Sequence, residues 1–202
     1  MDFTVEQFRA GCGATLSNAQ TYYPWVVQAC ERYRINQSAQ HLAAFFGQIA
    51  VESAQLAKVE EDLYYRDAER LAKLFLRVFD KDQNRVITQD EIEAARPYCR
   101  MPKELSMKLY NGYHGRGLGQ LTWEKNYRKI GSYVGADYVG NPDMVKSPEH
   151  AALSFAAFWD VNRINDVADD ISEVTLRVNG PRRLHLAERL KFTADALAAL
   201  RG

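Results

Sequence analysis

Residues 42–52 read Leu-Ala-Ala-Phe-Phe-Gly-Gln-Ile-Ala-Val-Glu, an almost unbroken apolar run that ends in a carboxylate. Ser38 precedes the run as a candidate helix N-cap. The run is well short of the roughly 20 residues that a membrane-spanning helix needs. It predicts a buried core helix that carries Glu52 at its end, where apolar surroundings disfavour the charged form of a carboxyl group.

Helical spacing of apolar residues continues over nearly the whole chain. The spacing and the capping signals predict further helices beyond the run at 42–52. Capping signals place helix starts at Thr4, Ser17, Thr122 and Ser147-Pro148. Apolar spacing predicts helices over 67–79, 90–98, 102–110, 171–178 and 184–200. Evidence for strands is thin: at most a short β-hairpin is expected, and its best place is 113–121, because of the glycines there. The pattern indicates a mainly α fold in one domain, 1–202, with an inserted helical lobe at 64–110.

Composition excludes several classes of function. The chain has 202 residues, equal numbers of basic and acidic residues and a pI near 6.9, so no general attraction to nucleic acid or to an anionic membrane is expected. The cysteines, Cys12, Cys30 and Cys99, fit no metal motif and are interpreted as reduced packing residues, although one disulfide could form in an oxidising compartment. The N-terminus has neither the basic nor the apolar region of a secretory signal.

A second carboxylate, Glu61, follows Glu52 by nine positions. Nine residues of continuous helix turn through about 900°, which leaves the two side chains on opposite faces. The pair can face one substrate only if the helix ends after Glu52 and the chain folds back. A glycosidase needs such a pair, one acid and one base, with Glu60 competing for the second role. The alternative is an ordinary helix end followed by a solvated acidic turn.

The segment 115–122, Gly-Arg-Gly-Leu-Gly-Gln-Leu-Thr, places three glycines within five residues. Such a segment lets the backbone approach a ligand closely or adopt positive φ. Gln120 and Thr122 add polar groups beside it, and Thr122 could instead cap the following helix. Arg116 could pair with a catalytic carboxylate or brace the turn.

These motifs together resemble a known family, glycoside hydrolase family 19, the plant-type chitinases. Within that family they look closest to phage-type endolysins that cut peptidoglycan. The resemblance covers roughly residues 40–180 and implies a lysozyme-like two-lobe helical fold. The segments that carry it, in order, are 45–53, 59–65, 98–103, 115–127 and 178–180.

The resemblance also implies roles for single residues. Glu52 would be the general acid, Glu61 the general base, and Thr122 the residue that helps to hold the attacking water. The substrate-binding residues would be Arg116, Gln120, Tyr127 and Asn179. Val51 stands where the family has histidine and Pro181 where it has a second glycine after Asn179, so the surroundings of Glu52 and the shape of that loop are expected to differ from the family pattern.

Residues 80–91, Asp-Lys-Asp-Gln-Asn-Arg-Val-Ile-Thr-Gln-Asp-Glu, read as a twelve-residue EF-hand loop. Arg85 occupies the usual glycine position, at a backbone cost of about 1 kcal/mol. The alternative is an acidic helix–turn–helix without a metal. The residues that would ligate Ca²⁺ are Asp80, Asp82, Asn84, Val86 through its carbonyl, Thr88 and Glu91.

The function expected from these features is hydrolysis of peptidoglycan glycan strands by inversion, as in muramidases and endolysins, with calcium either setting the cleft or only stabilising the lobe. The alternatives are a chitinase, a lytic transglycosylase and a non-enzymatic calcium-binding module. A metallopeptidase is disfavoured because the four histidines lack ligand spacing. We expect a monomer made in the cytoplasm that acts in the periplasm or cell wall after release by a holin or a secretion system, and that an immunity or inhibitor protein could block.

Overall fold

The computed structural model describes residues 1–202 and contains eleven α-helices with short 3₁₀ turns between some of them. The mainly α prediction is confirmed. The helices are α1 (Val5–Cys12), α2 (Leu16–Arg32), α3 (Ala39–Glu52), α4 (Ala68–Leu74), α5 (Leu76–Phe79), α6 (Gln89–Ala95), α7 (Pro102–Tyr110), α8 (Glu124–Val134), α9 (Pro148–Val161), α10 (Ile171–Asn179) and α11 (Leu186–Arg201). No helix combines the length and the apolar content that crossing a membrane requires.

The helix ends follow local capping chemistry. Thr4 forms the expected capping box with Gln7, and the Ser38 hydroxyl accepts a hydrogen bond from the backbone of the first turn of α3. The second helix begins at Leu16 and is capped by Thr15, two residues before the predicted Ser17. The single helix predicted over 67–79 is interrupted at Phe75, whose ring instead packs edge-on against Tyr65.

At 113–121, where at most a short β-hairpin was predicted, the structure has only isolated bridges. Arg116 forms isolated antiparallel bridges with Leu121 and Glu60, and no strand is present. The ladder does not extend because Gly117 turns the chain with φ +79° and donates its N–H to Val59 instead. The glycine-rich segment is therefore fastened to the chain that carries Glu60 and Glu61.

The main core surrounds α3, in which every residue from Leu42 to Ala50 is buried. α11 packs along α3 at close range because position 47 is glycine: a Cβ there would lie 2.9 Å from the backbone nitrogen of Thr193. Phe45 stacks on Phe155 of α9 at 5.1 Å between ring centroids, which adds α9 to the same core. The core thus fixes the end of α3, and Glu52 with it.

A second, smaller core lies within residues 63–109. It buries seven apolar side chains from α4 to α7 and the segment before them. Its members are Leu63, Leu71, Ala72, Phe79, Ala95, Leu105 and Leu109. The residues that carry Glu60 and Glu61 run directly into this small core, so they lie where it meets the main one.

The chain reverses direction directly after Glu52 without glycine or proline. Ala54, Gln55 and Leu56 all have positive φ, at 48°, 61° and 66°. Such residues cost of order 1 kcal/mol each and persist only where other contacts hold them. Ser53 supplies part of that hold: its buried hydroxyl donates to Ile49 O (2.6 Å) and accepts from Leu56 N–H (2.8 Å). The break that the spacing of the two glutamates demands is therefore present.

Candidate active site

Glu52 ends α3 and is held by a cation that the sequence did not predict. Arg189 of α11 is 1% exposed and donates from Nη2 to Glu52 Oε1 at 2.6 Å, while its Nη1 donates to the buried Gln48. The run 42–51 suggested wholly apolar surroundings for Glu52, and the contact with Arg189 shows that they are partly polar. No local signal links residues 137 positions apart. A small residue at position 47, where α3 and α11 meet, is the one hint in the sequence.

The remaining oxygen of Glu52, Oε2, accepts no hydrogen bond from the protein. Glu52 borders a cleft of about 380 Å³. The cleft is also lined by Gln120, Thr122, Trp123 and Asn179. Gln120, Thr122 and Asn179, three residues predicted to act here, therefore share one cleft with the predicted acid.

Glu61 is fixed to the glycine-rich segment from both its backbone and its side chain. Its N–H donates to Gly115 O (2.9 Å), its Oε2 accepts from Gly115 N–H (3.2 Å), and its Oε1 accepts from the Tyr110 hydroxyl (2.8 Å). Burial, together with the neighbouring Glu61 carboxylate, raises the pKa of Tyr110 well above its usual value. Tyr110 therefore remains a hydrogen-bond donor to Glu61 at any physiological pH.

Thr122 also lies close to Gly115, the residue that binds Glu61. A Cβ on Gly115 would be 3.4 Å from Thr122 Oγ1 and 2.7 Å from Gln120 Oε1. The Thr122 hydroxyl donates to Gln120 O (2.8 Å), which leaves its oxygen lone pairs free to accept. The alternative role as a helix cap was wrong: α8 begins at Glu124 and its N-cap position is Trp123, with no side-chain cap.

Glu60, the competing base, is engaged elsewhere. Its Oε1 lies 3.0 Å from His114 Nε2, 3.2 Å from Lys146 Nζ and 3.8 Å from Arg116 Nε. Partial burial opposes ionisation, but the hydrogen bonds from His114 and Lys146 outweigh it and lower the pKa of Glu60. A carboxylate stabilised as an anion by the His114 N–H and by the cations of Lys146 and Arg116 is a poor proton acceptor, so Glu61 is the better candidate for the base.

Two predicted substrate contacts require correction. Arg116 is 5% exposed, and its guanidinium binds Asp143 (3.0 Å), Gly112 O (3.1 Å) and Tyr127 (3.1 Å). Tyr127 has no exposed surface, and its hydroxyl donates to His114 O at 2.7 Å. Both side chains brace the turn from inside and neither lines the cleft, because their polar ends are fully used by buried partners.

The acidic loop at 80–91 brings carboxylate oxygens of Asp80, Asp82 and Glu91 within 4.8 Å of one another. Asp80 is 7% exposed, and its Oδ1 is buried without a hydrogen-bond partner. Arg85 adopts the left-handed conformation (φ +66°) that the loop requires at its sixth position. The Thr88 hydroxyl and Glu91 form a capping box at the start of α6.

Comparison with known proteins agrees with this geometry. The family model for glycoside hydrolase family 19, described as chitinase class I, matches residues 83–173. Over these residues the chain is similar to glycoside hydrolase family 19. The match includes the glycine-rich segment and Thr122, and it begins after Glu52 and Glu61.

Individual proteins similar to the chain include plant endochitinases. An endochitinase of Arabidopsis thaliana is 30% identical over 114 residues, which are 56% of this chain and 40% of that protein. The acidic endochitinase SP2 of Beta vulgaris is 27% identical over 146 residues, 72% of this chain and 42% of that protein. The chain therefore spans about two fifths of the length of these curated relatives.

Solved structures show the same fold. Chitinase C from Streptomyces griseus HUT6037 superposes with a TM-score of 0.61 at 17% identity, covering 98% of this chain and 76% of that one. A bacterial family 19 chitinase gives 0.56 at 19% identity and covers 96% and 94%. The two-lobe helical fold expected from the resemblance is confirmed.

Proposed function

We propose that this chain hydrolyses the glycan strands of peptidoglycan by inversion, with Glu52 as the general acid and Glu61 as the general base. One observation carries the proposal. The left-handed break at 54–56 ends α3, and Gly115 then fastens Glu61 beside Thr122, which lines the same cleft as Glu52. We infer from this arrangement that the two carboxylates, which continuous helix would hold apart, act on one substrate, as an inverting enzyme needs.

Glu52 protonates the glycosidic oxygen from Oε2, the oxygen that has no protein partner. As the C–O bond breaks, Glu52 becomes a carboxylate, and Arg189 at 2.6 Å from Oε1 stabilises that charge. The interaction is stronger after proton transfer than before it, so it contributes to lowering the barrier.

Glu61 removes a proton from the attacking water. Tyr110 and Gly115 N–H each donate to one of its oxygens, which orients the carboxylate and leaves further lone pairs for the water. Thr122 accepts a hydrogen bond from the same water, since its own proton is committed to Gln120 O. The water attacks the anomeric carbon from the face opposite the leaving group, which inverts its configuration.

Chitin is the second candidate substrate, because the named relatives are chitinases. The discriminating experiment measures reducing ends released from purified peptidoglycan sacculi and from glycol chitin by the parent chain and by Glu52→Gln, Glu61→Gln and Glu60→Gln. We expect Glu52→Gln and Glu61→Gln to lose at least about 100-fold in rate and Glu60→Gln, the neighbouring control, to lose less than about tenfold. Release from glycol chitin alone would assign chitin instead.

The same assay separates the remaining alternatives. A lytic transglycosylase would keep its activity in Glu61→Gln and would leave anhydro ends. A non-enzymatic module would release nothing in the parent chain. One relative of Hevea brasiliensis, 35% identical over 72 residues, is named an inactive chitinase-like protein, so the second outcome has a precedent among similar proteins.

We also propose that the loop at 80–91 binds Ca²⁺. The unpartnered, buried Asp80 Oδ1 supports this, because a buried carboxylate oxygen without a partner is costly unless a cation satisfies it. Hard oxygen donors of this kind suit Ca²⁺. Asp80, Asp82 and Glu91 would hold the ion with their carboxylates, with Asn84, the Val86 carbonyl and Thr88 completing the set.

Calorimetric titration and thermal unfolding test the calcium proposal. Added Ca²⁺ should raise the Tm of the chelator-treated parent, and Asp80→Asn should abolish the rise, whereas Asp90→Asn, an exposed acid of α6 outside the cluster, should keep it. Equal Tm values with calcium and with chelator, and no binding heat, would contradict a calcium site.

A further inference from the structure

Trp123 stands where three concavities meet. It is 36% exposed and borders the cleft that holds Glu52, a groove against the small lobe, and a groove along α7 and α8. Tyr110, which donates to Glu61, borders both grooves and packs edge-on against Trp123 at 5.0 Å between ring centroids. A polymer that extends beyond the cleft past Trp123 therefore enters one of these two grooves.

The two grooves are strongly basic. Seven basic side chains line them against two acidic ones, Asp80 and Glu124. Glu124 is paired with Arg128 at 2.5 Å, and Asp80 Oδ2 accepts from the backbone of Arg85. Since the whole chain carries equal numbers of basic and acidic residues, this excess is local.

Six of these cations form no ion pair within the protein. The one polar side-chain contact among them is that of Arg77, whose guanidinium lies 5.3 Å from the centroid of the Trp123 ring. Exposed cations left without carboxylates beside a cleft create a positive potential that attracts anionic ligands. The six are Arg77, Arg85, Lys108, Lys125, Lys129 and Arg182.

We propose that these two grooves bind carboxylates of a peptidoglycan strand and so make the enzyme select peptidoglycan over chitin. The proposal rests on the proposed function. Chitin is neutral and offers the grooves nothing to pair with. Peptidoglycan carries carboxyl groups on its muramyl lactyl ethers, where these are free, and on its stem peptides. Both sources supply the same chemistry, an exposed carboxylate on a side group of the glycan.

Arg182 connects this proposal to the departure of the sequence from the family pattern. The loop after Asn179 has Pro181 instead of a second glycine. In this loop Arg182 lines the groove against the small lobe, while Asn179 lines the cleft. The substituted loop thus adds a cation beside the substrate path.

The test uses the triple variant Arg77→Gln/Lys108→Gln/Arg182→Gln, which removes cations from both grooves. The control is Arg9→Gln/Arg201→Gln, two exposed arginines of α1 and α11 that also form no ion pair and line neither groove. In a Glu61→Gln background, co-sedimentation with Gram-negative sacculi, which carry no teichoic acid phosphates, measures binding without hydrolysis. Separately, the parent, the triple variant and the control, each with Glu61 intact, are compared by the ratio of kcat/KM on sacculi to kcat/KM on glycol chitin.

At low salt we expect the triple variant to bind sacculi about tenfold more weakly, to respond less to added NaCl, and to lower the kcat/KM ratio, while the control matches the parent. An amidase removes the stem peptides from sacculi and frees one lactyl carboxylate for each stem removed. Lost binding therefore assigns the contacts to the stem carboxylates, and retained binding shows that lactyl carboxylates are sufficient for the contacts. Parent-like binding and an unchanged ratio in the triple variant would overturn the proposal, and would leave an acidic protein partner as the occupant to seek. If the parent chain hydrolyses neither glycan, the proposed function fails, and the binding arm still tests the grooves.

Discussion

Arg189 is the residue whose replacement tests the architecture of the site most severely. It is 1% exposed and donates to Glu52 Oε1, to Gln48 and to Leu184 O (3.1 Å). Arg189→Met keeps much of the side-chain volume but removes all three donors. Glu52, whose side chain is 15% exposed, then lacks this cation, and the buried amide oxygen of Gln48 loses its partner.

Breaking one partner of a buried ion pair costs about 3–5 kcal/mol. Glu52 still reaches the cleft and its water, so we expect a loss near the lower end, about 3 kcal/mol in the free energy of unfolding. For a chain of this size that corresponds to a Tm lower by about 6–12 °C. Arg9→Met, on the exposed surface of α1, should change stability by less than about 0.5 kcal/mol.

Urea unfolding of the parent, Arg189→Met, Glu52→Gln and the double variant completes the measurement. Arg189→Met leaves Glu52 without its cation, and Glu52→Gln leaves Arg189 with only a neutral amide oxygen. The double variant removes both charges, so the effects should fall short of additivity by at least about 1.5 kcal/mol. Effects that add to within about 0.5 kcal/mol would refute the view that Arg189 and Glu52 act as a pair.

Three further predictions concern the supports of the site. Tyr110→Phe removes the hydroxyl that orients Glu61, and kcat should fall about tenfold with KM little changed; an equal fall in Tyr64→Phe, an exposed tyrosine, would argue against orientation. Gly47→Ala places a Cβ 2.9 Å from the Thr193 backbone and should cost about 1–3 kcal/mol, measured by urea unfolding; a neutral result would mean that α3 and α11 separate easily. Burial lowers the pKa of His114 below its usual 6.5. As the pH falls, His114 is therefore protonated in the unfolded chain before it is protonated in the folded chain, and the free energy of unfolding should decline below about pH 6.5. In His114→Gln the urea midpoint should drop less between pH 7.5 and 5.5 than in the parent, and an identical drop would exclude His114 as the source.

Much of the fold was predictable because its signals are local. The cap at Ser38 and the apolar run after it define α3 to the residue, and the turn angle between Glu52 and Glu61 correctly required a break. The means of the break was not predictable. Ser53, which bonds both to the last turn of α3 and to the reversed chain, is an ordinary residue until its burial is known.

The site was predictable where the chain itself brings residues together and not where distant helices do. Gly115, Gln120 and Thr122 are near one another in sequence and lie beside Glu61 and the cleft. Arg189 reaches Glu52 only through the packing of α11 on α3, which periodicity cannot align. Arg116 and Tyr127 were misplaced for a related reason: a polar residue in a motif points to solvent or to the core according to its tertiary partners, which here are Asp143 and His114.

The central claim is inversion by two carboxylates at one cleft, and the configuration of the first product tests it most directly. Proton NMR during the first minutes of hydrolysis of a soluble glycan strand identifies the anomer at the new reducing end before mutarotation mixes the two forms. Inversion predicts that cleavage of a β-linked strand releases the α-anomer first, and that Glu61→Gln releases no detectable product. Initial release of the β-anomer, or of anhydro ends that form no reducing sugar, would contradict the account.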